Sequence, residues 1–221
     1  MAMTESEARI LVRDAGLKLV HEGLVARTWG NVSVRLDEER YVITPSGRDY
    51  DTLEPEEMVV VNLRTGDYEG HIKPSSERKV HAEIYRTRND VGAVIHTHQT
   101  NASVVAAARR EVPPILDDMV QLLGPNVRVA DYALPSTDKM VRACVKALKG
   151  RNAALMANHG AICVGRTLDD AFVACVVLEK ACKAFIEAEF LGGAKSINIF
   201  EAHIMHQYYL MKYSKQKEKN R

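Results

Sequence analysis

The sequence predicts one α/β domain. Two observations carry this. Apolar residues switch repeatedly between helical spacing and strand alternation, so helices and strands intermingle along the whole chain. The 221 residues contain no internal repeat, low-complexity tract or linker, and 46% of them are hydrophobic, enough for a sizeable core. The expected unit spans residues 1–221, with about 214–221 a polar, basic, solvated tail.

Thr4 and Glu7 form a capping-box pattern, and Ala8, Leu11, Val12, Ala15 and Leu19 continue it as a helix to about Glu22. Val32, Val34 and Leu36 alternate as a half-buried strand, "DEER" reads as a hairpin turn and "YVIT" as the returning strand. "TPSG" is a turn, "MVVVNL" a strand and "RTGD" another turn. Pro74 disfavours helix before it, and Ser75 or Ser76 can cap a helix that starts there, with Val80 and Ile84 on its inner face. "VGAVIHTH" is a buried strand, "NASVVAAA" a short helix, "EVPPILDD" a proline-broken connection and "VRVADYALP" a strand. "STDK" caps a helix ending near Gly150. "NAALMANHGAICVG" makes two short strands broken at Asn158–Gly160, "TLDD" caps a helix to about Phe190, and "EAHIMHQYYLMKY" has helical character.

Composition excludes several classes. Thirty basic against 29 acidic residues give a net charge of +1, with no general pull toward nucleic acid or anionic lipid. No apolar run is long enough to span a bilayer, and "MAMTESEARI" lacks the apolar core of a leader peptide. Cys144, Cys163, Cys175 and Cys182 show no CxxC spacing, which fits reduced thiols in a cytoplasmic protein.

Chemistry concentrates in a few places. His96 and His98 are two apart on a strand, so their imidazoles face the same side. They read either as polar residues at an exposed strand end or as a pair of ligands for zinc or a similar ion. His159, in a turn that Gly160 permits, offers a third ligand. Three protein ligands with an open position is the pattern of a catalytic metal. The loops "TWGNVS", "TPSG" and "KPSSE" each present hydroxyls and backbone N–H groups suited to an anion, and Glu77 directly follows Ser76. His81 reads as structural or as a support for Glu77. His203 and His206 read as surface or interface residues.

"TWGNVS", "ITPSG", "KPSSE", "HTH" and "NHG" stand in the order and approximate spacing of the class II aldolase/AraD-type family, which the chain resembles from about Glu5 to Tyr213. The resemblance implies a three-layer α/β/α domain around a largely antiparallel sheet. It implies a C4 homotetramer with active sites at subunit interfaces. His96, His98 and His159 match the ligands of a divalent metal, zinc first, with manganese or cobalt accepted by the same donors. Glu77 matches the residue that ligates the free metal and acts as acid/base once substrate displaces it. Gly30, Asn31, Ser46, Gly47, Ser75 and Ser76 match a substrate-phosphate pocket.

The implied reaction is retro-aldol cleavage of a phosphorylated ketose, of the L-fuculose 1-phosphate type, to dihydroxyacetone phosphate and an aldehyde. A metal would stabilise the enediolate left behind. Two positions depart from the fuculose-type aldolases. Trp29 is epimerase-like, and Asp117 or Asp118 stands where a proton-donating tyrosine is expected. Tyr213 matches a family tyrosine that reaches a neighbouring subunit's site, with Tyr208 and Tyr209 nearby. Rival readings are 4-epimerization of L-ribulose 5-phosphate, another phosphosugar lyase or dehydratase reaction, and a non-catalytic adducin-like interaction module.

Overall fold

The computed structural model describes residues 3–213; the Tyr213 side chain and the basic tail at 214–221 lie outside the described residues. Helix α1 (Glu5–His21) opens with the expected capping box, in which the Thr4 hydroxyl accepts from the Glu7 N–H and the Glu7 carboxylate accepts from the Thr4 N–H. Strands β1 (Asn31–Arg35) and β2 (Arg40–Ile43) form a hairpin. The Asp37 carboxylate closes its turn by accepting from the N–H groups of Glu39 and Arg40. Then come β3 (Val59–Asn62), α2 (Arg78–Thr87), β4 (Ala93–Thr97), α3 (Thr100–Ala108), α4 (Asp117–Leu123), β5 (Arg128–Ala130) and α5 (Asp138–Leu148). Strands β6 (Ala153–Met156) and β7 (Gly160–Gly165) precede the long helix α6 (Leu168–Phe190), and α7 (Ile199–Tyr208) ends in a wider turn over Tyr209–Tyr213.

One sheet of seven strands runs in the order β3-β2-β1-β4-β7-β6-β5. Every neighbouring pair is antiparallel except β5 with β6. Strand alternation sends Val32, Val34, Ile95, Leu155 and Cys163 to a core shared with α1, α3, α4 and α6. It sends Tyr41, Ile43, Val94, Met156, Ile162 and Val164 to the opposite core, under α2 and α5. The architecture is therefore the expected α/β/α sandwich around a largely antiparallel sheet. In register, Asn31 lies opposite His96, and His96 opposite Ile162, on the α2 face. Both sides of the sheet are closed, and among the described residues no helix is long and apolar enough to cross a membrane.

Four local readings change. Helix α2 starts at Arg78 with Glu77 as its cap, because the Ser75 hydroxyl turns back to accept from the Glu77 N–H rather than from the helix itself. The "EVPPILDD" connection ends earlier than its prolines suggest, at Leu116, and Asp117 already begins α4. Only Arg128–Ala130 of "VRVADYALP" pairs as a strand. His206 is buried rather than superficial, its Nδ1 donating to the carbonyl of Gln121 in α4.

Leu155 sits at the centre of the α1/α6-side core with no solvent exposure. Leu155→Ala is expected to destabilise the fold by about 2–5 kcal/mol. A urea midpoint unchanged from the parent protein would show that this core layer does not carry the sheet.

Candidate active site

Strand β4 ends by carrying His96 and His98 out of the core on one side. His96 is buried, and its Nδ1 lies 2.8 Å from the carbonyl of Ala161 on β7. That carbonyl can only accept, so Nδ1 carries a proton and Nε2 is the nitrogen turned to the rest of the group. His96 Nε2 lies 2.8 Å from Nε2 of His98 and 3.1 Å from a carboxylate oxygen of Glu77. His159 closes the group, with Nε2 3.4 Å from the other Glu77 oxygen. One nitrogen from each of the three rings falls within 4.8 Å of the others.

Backbone constraints produce this convergence. His159 sits in the β6–β7 turn, where Asn158 adopts a left-handed conformation at φ 56°. The Asn158 side-chain oxygen accepts from both Nε and Nη2 of Arg109, at 3.0 and 2.8 Å. Gly160 comes next, and a Cβ there would lie 2.4 Å from the Thr97 carbonyl, so only glycine lets the turn press against β4. Gly30 faces the same strand. Its φ is +84°, and a Cβ would lie 2.6 Å from the His96 carbonyl. The chain beyond His98 is pinned by α6. The Gln99 amide donates to the Cys175 carbonyl at 3.0 Å, and the Glu179 carboxylate accepts from the N–H groups of Asn101 and Ala102 at the start of α3.

Burial sets the charges. It pushes the His98 imidazole down to about 3, and the neighbouring His96 and His159 rings add to that shift. His159 is lowered for the same reasons, burial first and His96 second. Burial opposes the Glu77 charge, but His96, His159 and the Asn31 amide together outweigh it and hold the carboxyl below its usual range. Three converging imidazoles, with the Glu77 carboxylate facing inward beside them, form a group that could hold a divalent transition-metal ion. Trp29, 62% exposed, leans on His98 with ring centroids 5.5 Å apart.

The three anion-suited loops gather at this end of the sheet. The 44–47 and 73–76 segments pair side by side. Pro45 bridges Pro74, the Ser46 N–H donates to the Lys73 carbonyl at 2.9 Å, and the Ser75 N–H donates to the Thr44 carbonyl at 3.0 Å. Ser46, Gly47 and Ser76 stand exposed on this lip, while Ser75 is buried behind it. The Asn31 carboxamide is engaged at both ends, by Glu77 and by His81. Asp117 and Asp118 lie apart from the imidazole group as this chain is folded. Asp117 is exposed at the start of α4, and Asp118 pairs with Lys180 at 2.7 Å.

Sequence reasoning gave Ser33 and Tyr85 no role, yet both join the group. The Ser33 hydroxyl lies 2.7 Å from His81 Nδ1 and 2.8 Å from the Tyr85 hydroxyl. Neither carried a sequence signal, because Ser33 falls at the polar position of the Val32–Val34 alternation, where an exposed residue is expected.

The close approach at Gly160 can be tested directly. Gly160→Ala is expected to lower zinc affinity at least tenfold, read by competition with a chromophoric chelator; an unchanged affinity would mean the contact with Thr97 does not set the site. Burial also drives His81 down to about 3. An unfolded histidine protonates near 6.5, so between those values the unfolded chain holds the extra proton and stability rises with pH. Taking the metal-free protein from pH 6.5 to 5.5 is therefore expected to cost about 1 kcal/mol from this residue. His81→Phe should flatten that part of the stability profile.

The comparisons with known proteins agree with this geometry. The family described as Class II Aldolase and Adducin N-terminal domain matches residues 11–186. A 5-deoxy-D-ribulose 1-phosphate aldolase from Bacillus thuringiensis serovar kurstaki is 34% identical over 181 residues, covering 81% of this chain and 84% of that protein. A 5-methylthioribulose-1-phosphate/5-deoxyribulose-1-phosphate aldolase from Rhodospirillum rubrum is 36% identical over 194 residues, covering 85% and 87%. The solved structure of an L-fuculose 1-phosphate aldolase superposes with a TM-score of 0.89 at 33% identity, over 94% of this chain and 98% of that one. With its three histidines and inward carboxylate, the chain belongs to the class II aldolase and adducin N-terminal family and is an aldolase, a lyase.

Proposed function

We propose that this aldolase cleaves a ketose 1-phosphate to dihydroxyacetone phosphate and an aldehyde, using one divalent metal ion per subunit, zinc first. The observation that carries the reading is the inward convergence of His96 Nε2, His98, His159 and Glu77. An ion held there supplies Lewis-acid stabilisation for charge that develops on substrate oxygens. Glu77 removes the proton beside the carbonyl in synthesis and returns it after cleavage, a task suited to a carboxylate that is ionised but buried. Ser46, Gly47, Ser75 and Ser76, with the Gly30–Asn31 turn, hold the phosphate and so fix the register of the reacting carbons.

The sugar is a ketose 1-phosphate with an apolar far end, of the 5-deoxyribulose or 5-methylthioribulose type, or an L-fuculose 1-phosphate. Two relatives are named for the first two substrates, and a solved structure is named for the third. The exposed indole of Trp29 beside His98 gives the site an apolar wall that suits such an end. Asp117, Asp118 and Tyr213 are assigned to the aldehyde side, a role that depends on assembly of a homotetramer. Support for assembly comes from large apolar groups left wet in the single chain, among them Phe190 at 85% and Phe200 at 76% exposure.

The test is a panel of 5-deoxyribulose 1-phosphate, 5-methylthioribulose 1-phosphate, L-fuculose 1-phosphate and L-ribulose 5-phosphate. Dihydroxyacetone phosphate is assayed against xylulose 5-phosphate, with sedimentation run in parallel. Dihydroxyacetone phosphate from a 1-phosphate is expected, and xylulose 5-phosphate alone would move the assignment to 4-epimerization. Glu77→Gln should lower kcat by at least 100-fold with little change in KM. Ser76→Ala should instead raise KM, by about tenfold for one lost hydrogen bond to a charged phosphate.

A further inference from the structure

Behind Glu77 lies a run of buried polar side chains on the α2 side of the sheet. Asn31 Nδ2 donates to Glu77 Oε2 at 3.0 Å, and Asn31 Oδ1 meets His81 Nε2. His81 Nδ1 meets the Ser33 hydroxyl at 2.7 Å, and that hydroxyl meets the Tyr85 hydroxyl at 2.8 Å. All four supporting residues are buried, Ser33, His81 and Tyr85 completely.

End-group chemistry fixes the direction of every bond. An ionised Glu77 can only accept, so the Asn31 amino group faces it. The Asn31 oxygen then faces His81 and can only accept, so Nε2 carries the His81 proton. A neutral ring leaves Nδ1 as an acceptor, so the Ser33 hydroxyl donates to it. The Ser33 oxygen is left to accept, and Tyr85 donates to it.

The geometry points to a one-way relay, Tyr85 to Ser33 to His81 to Asn31, whose function is to hold the donor end of the Asn31 amide on Glu77. This makes Asn31, His81, Ser33 and Tyr85 positioning residues for the acid/base carboxylate.

A carboxamide is nearly symmetric in shape, so packing alone does not choose which end faces Glu77. A flipped Asn31 would set its oxygen against a carboxylate oxygen. The relay opposes that flip, because it would require His81 to change tautomer and Ser33 to turn its hydroxyl onto Tyr85, leaving the buried Tyr85 O–H without its acceptor. In the same buried space a partly satisfied chain costs more than none. Glu77 Oε2 is thereby held on one side, while Oε1 stays toward His159. The relay rests on the aldolase reading only for what Glu77 does, not for how it is held.

Two measurements test it. Nitrogen-15 NMR of histidine-labelled, metal-loaded protein should show His81 as the neutral Nε2–H tautomer, and Asn31→Ala should let both tautomers appear. This arm needs no substrate, so it separates failure of the relay from failure of the aldolase assignment. The second measurement is steady-state kinetics on the best sugar of the panel, with zinc affinity and thermal midpoint measured on the same samples. His81→Phe should lower kcat about 10–100-fold with KM within about threefold and zinc affinity kept, the size seen when a ligand's supporting partner is removed. Losses should shrink along the chain, larger for Ser33→Ala than for Tyr85→Phe, although Tyr85 is the larger buried group. His81→Gln, which restores an N–H for Asn31, should recover part of the rate. An Nδ1–H or cationic His81 at neutral pH, or a kcat for His81→Phe within twofold of the parent, would overturn the relay.

Discussion

Lone pairs crowded into a small buried space repel one another unless something positive lies between them. His96 Nε2 and both Glu77 oxygens face one another here, with His98 Nε2 2.8 Å from His96 Nε2. Much of the surrounding structure exists to enforce it. The Ala161 carbonyl chooses the His96 tautomer, and burial keeps His98 from relieving the repulsion by taking a proton. Glycines at 30 and 160 leave out Cβ atoms that would meet the His96 and Thr97 carbonyls. A site built this way suits a cation, and the two apolar cores that clamp the sheet hold it together.

The sheet also divides labour between its faces. The side under α1, α3, α4 and α6 is almost wholly apolar. The side under α2 and α5 is apolar except for one polar vein at the β1–β4 seam, where Asn31, Ser33, His81 and Tyr85 run back from Glu77. That vein holds its buried polar groups through one another, each hydrogen-bonding to the next. Helix α2 serves both functions, with Val80 and Ile84 in the core and Glu77 at its cap.

The histidines and most of the elements were legible in the sequence, because strand alternation, helix spacing and capping are local patterns. His96 and His98 announce themselves through their spacing, and the capping box at Thr4 needs only its own neighbours. Contacts between residues far apart in the chain escaped. Asn31 meets Glu77 across 46 positions, and Glu179 caps α3 across 78. No local pattern encodes such pairs; the topology makes them. Helix α4 escaped for a related reason. Seven residues after two prolines carry too few turns to show a period, and packing against α6 and α7 creates the helix. His206 looked superficial because its acceptor, the Gln121 carbonyl, is 85 residues away.

The rung that joins Asn31, His96 and Ile162 across three strands has a wider consequence. A slip of β4 by one residue would turn His96 toward the helices of the other face and Ile95 toward the polar vein. Assembly of the core and assembly of the reactive centre are thus one decision, taken when three strands align. A lineage drifting away from its ancestral chemistry can lose ligands one at a time and keep its shape. It cannot shift that alignment to build a new centre without first ceasing to be a folded protein, so novelty in this scaffold has to come from the loops.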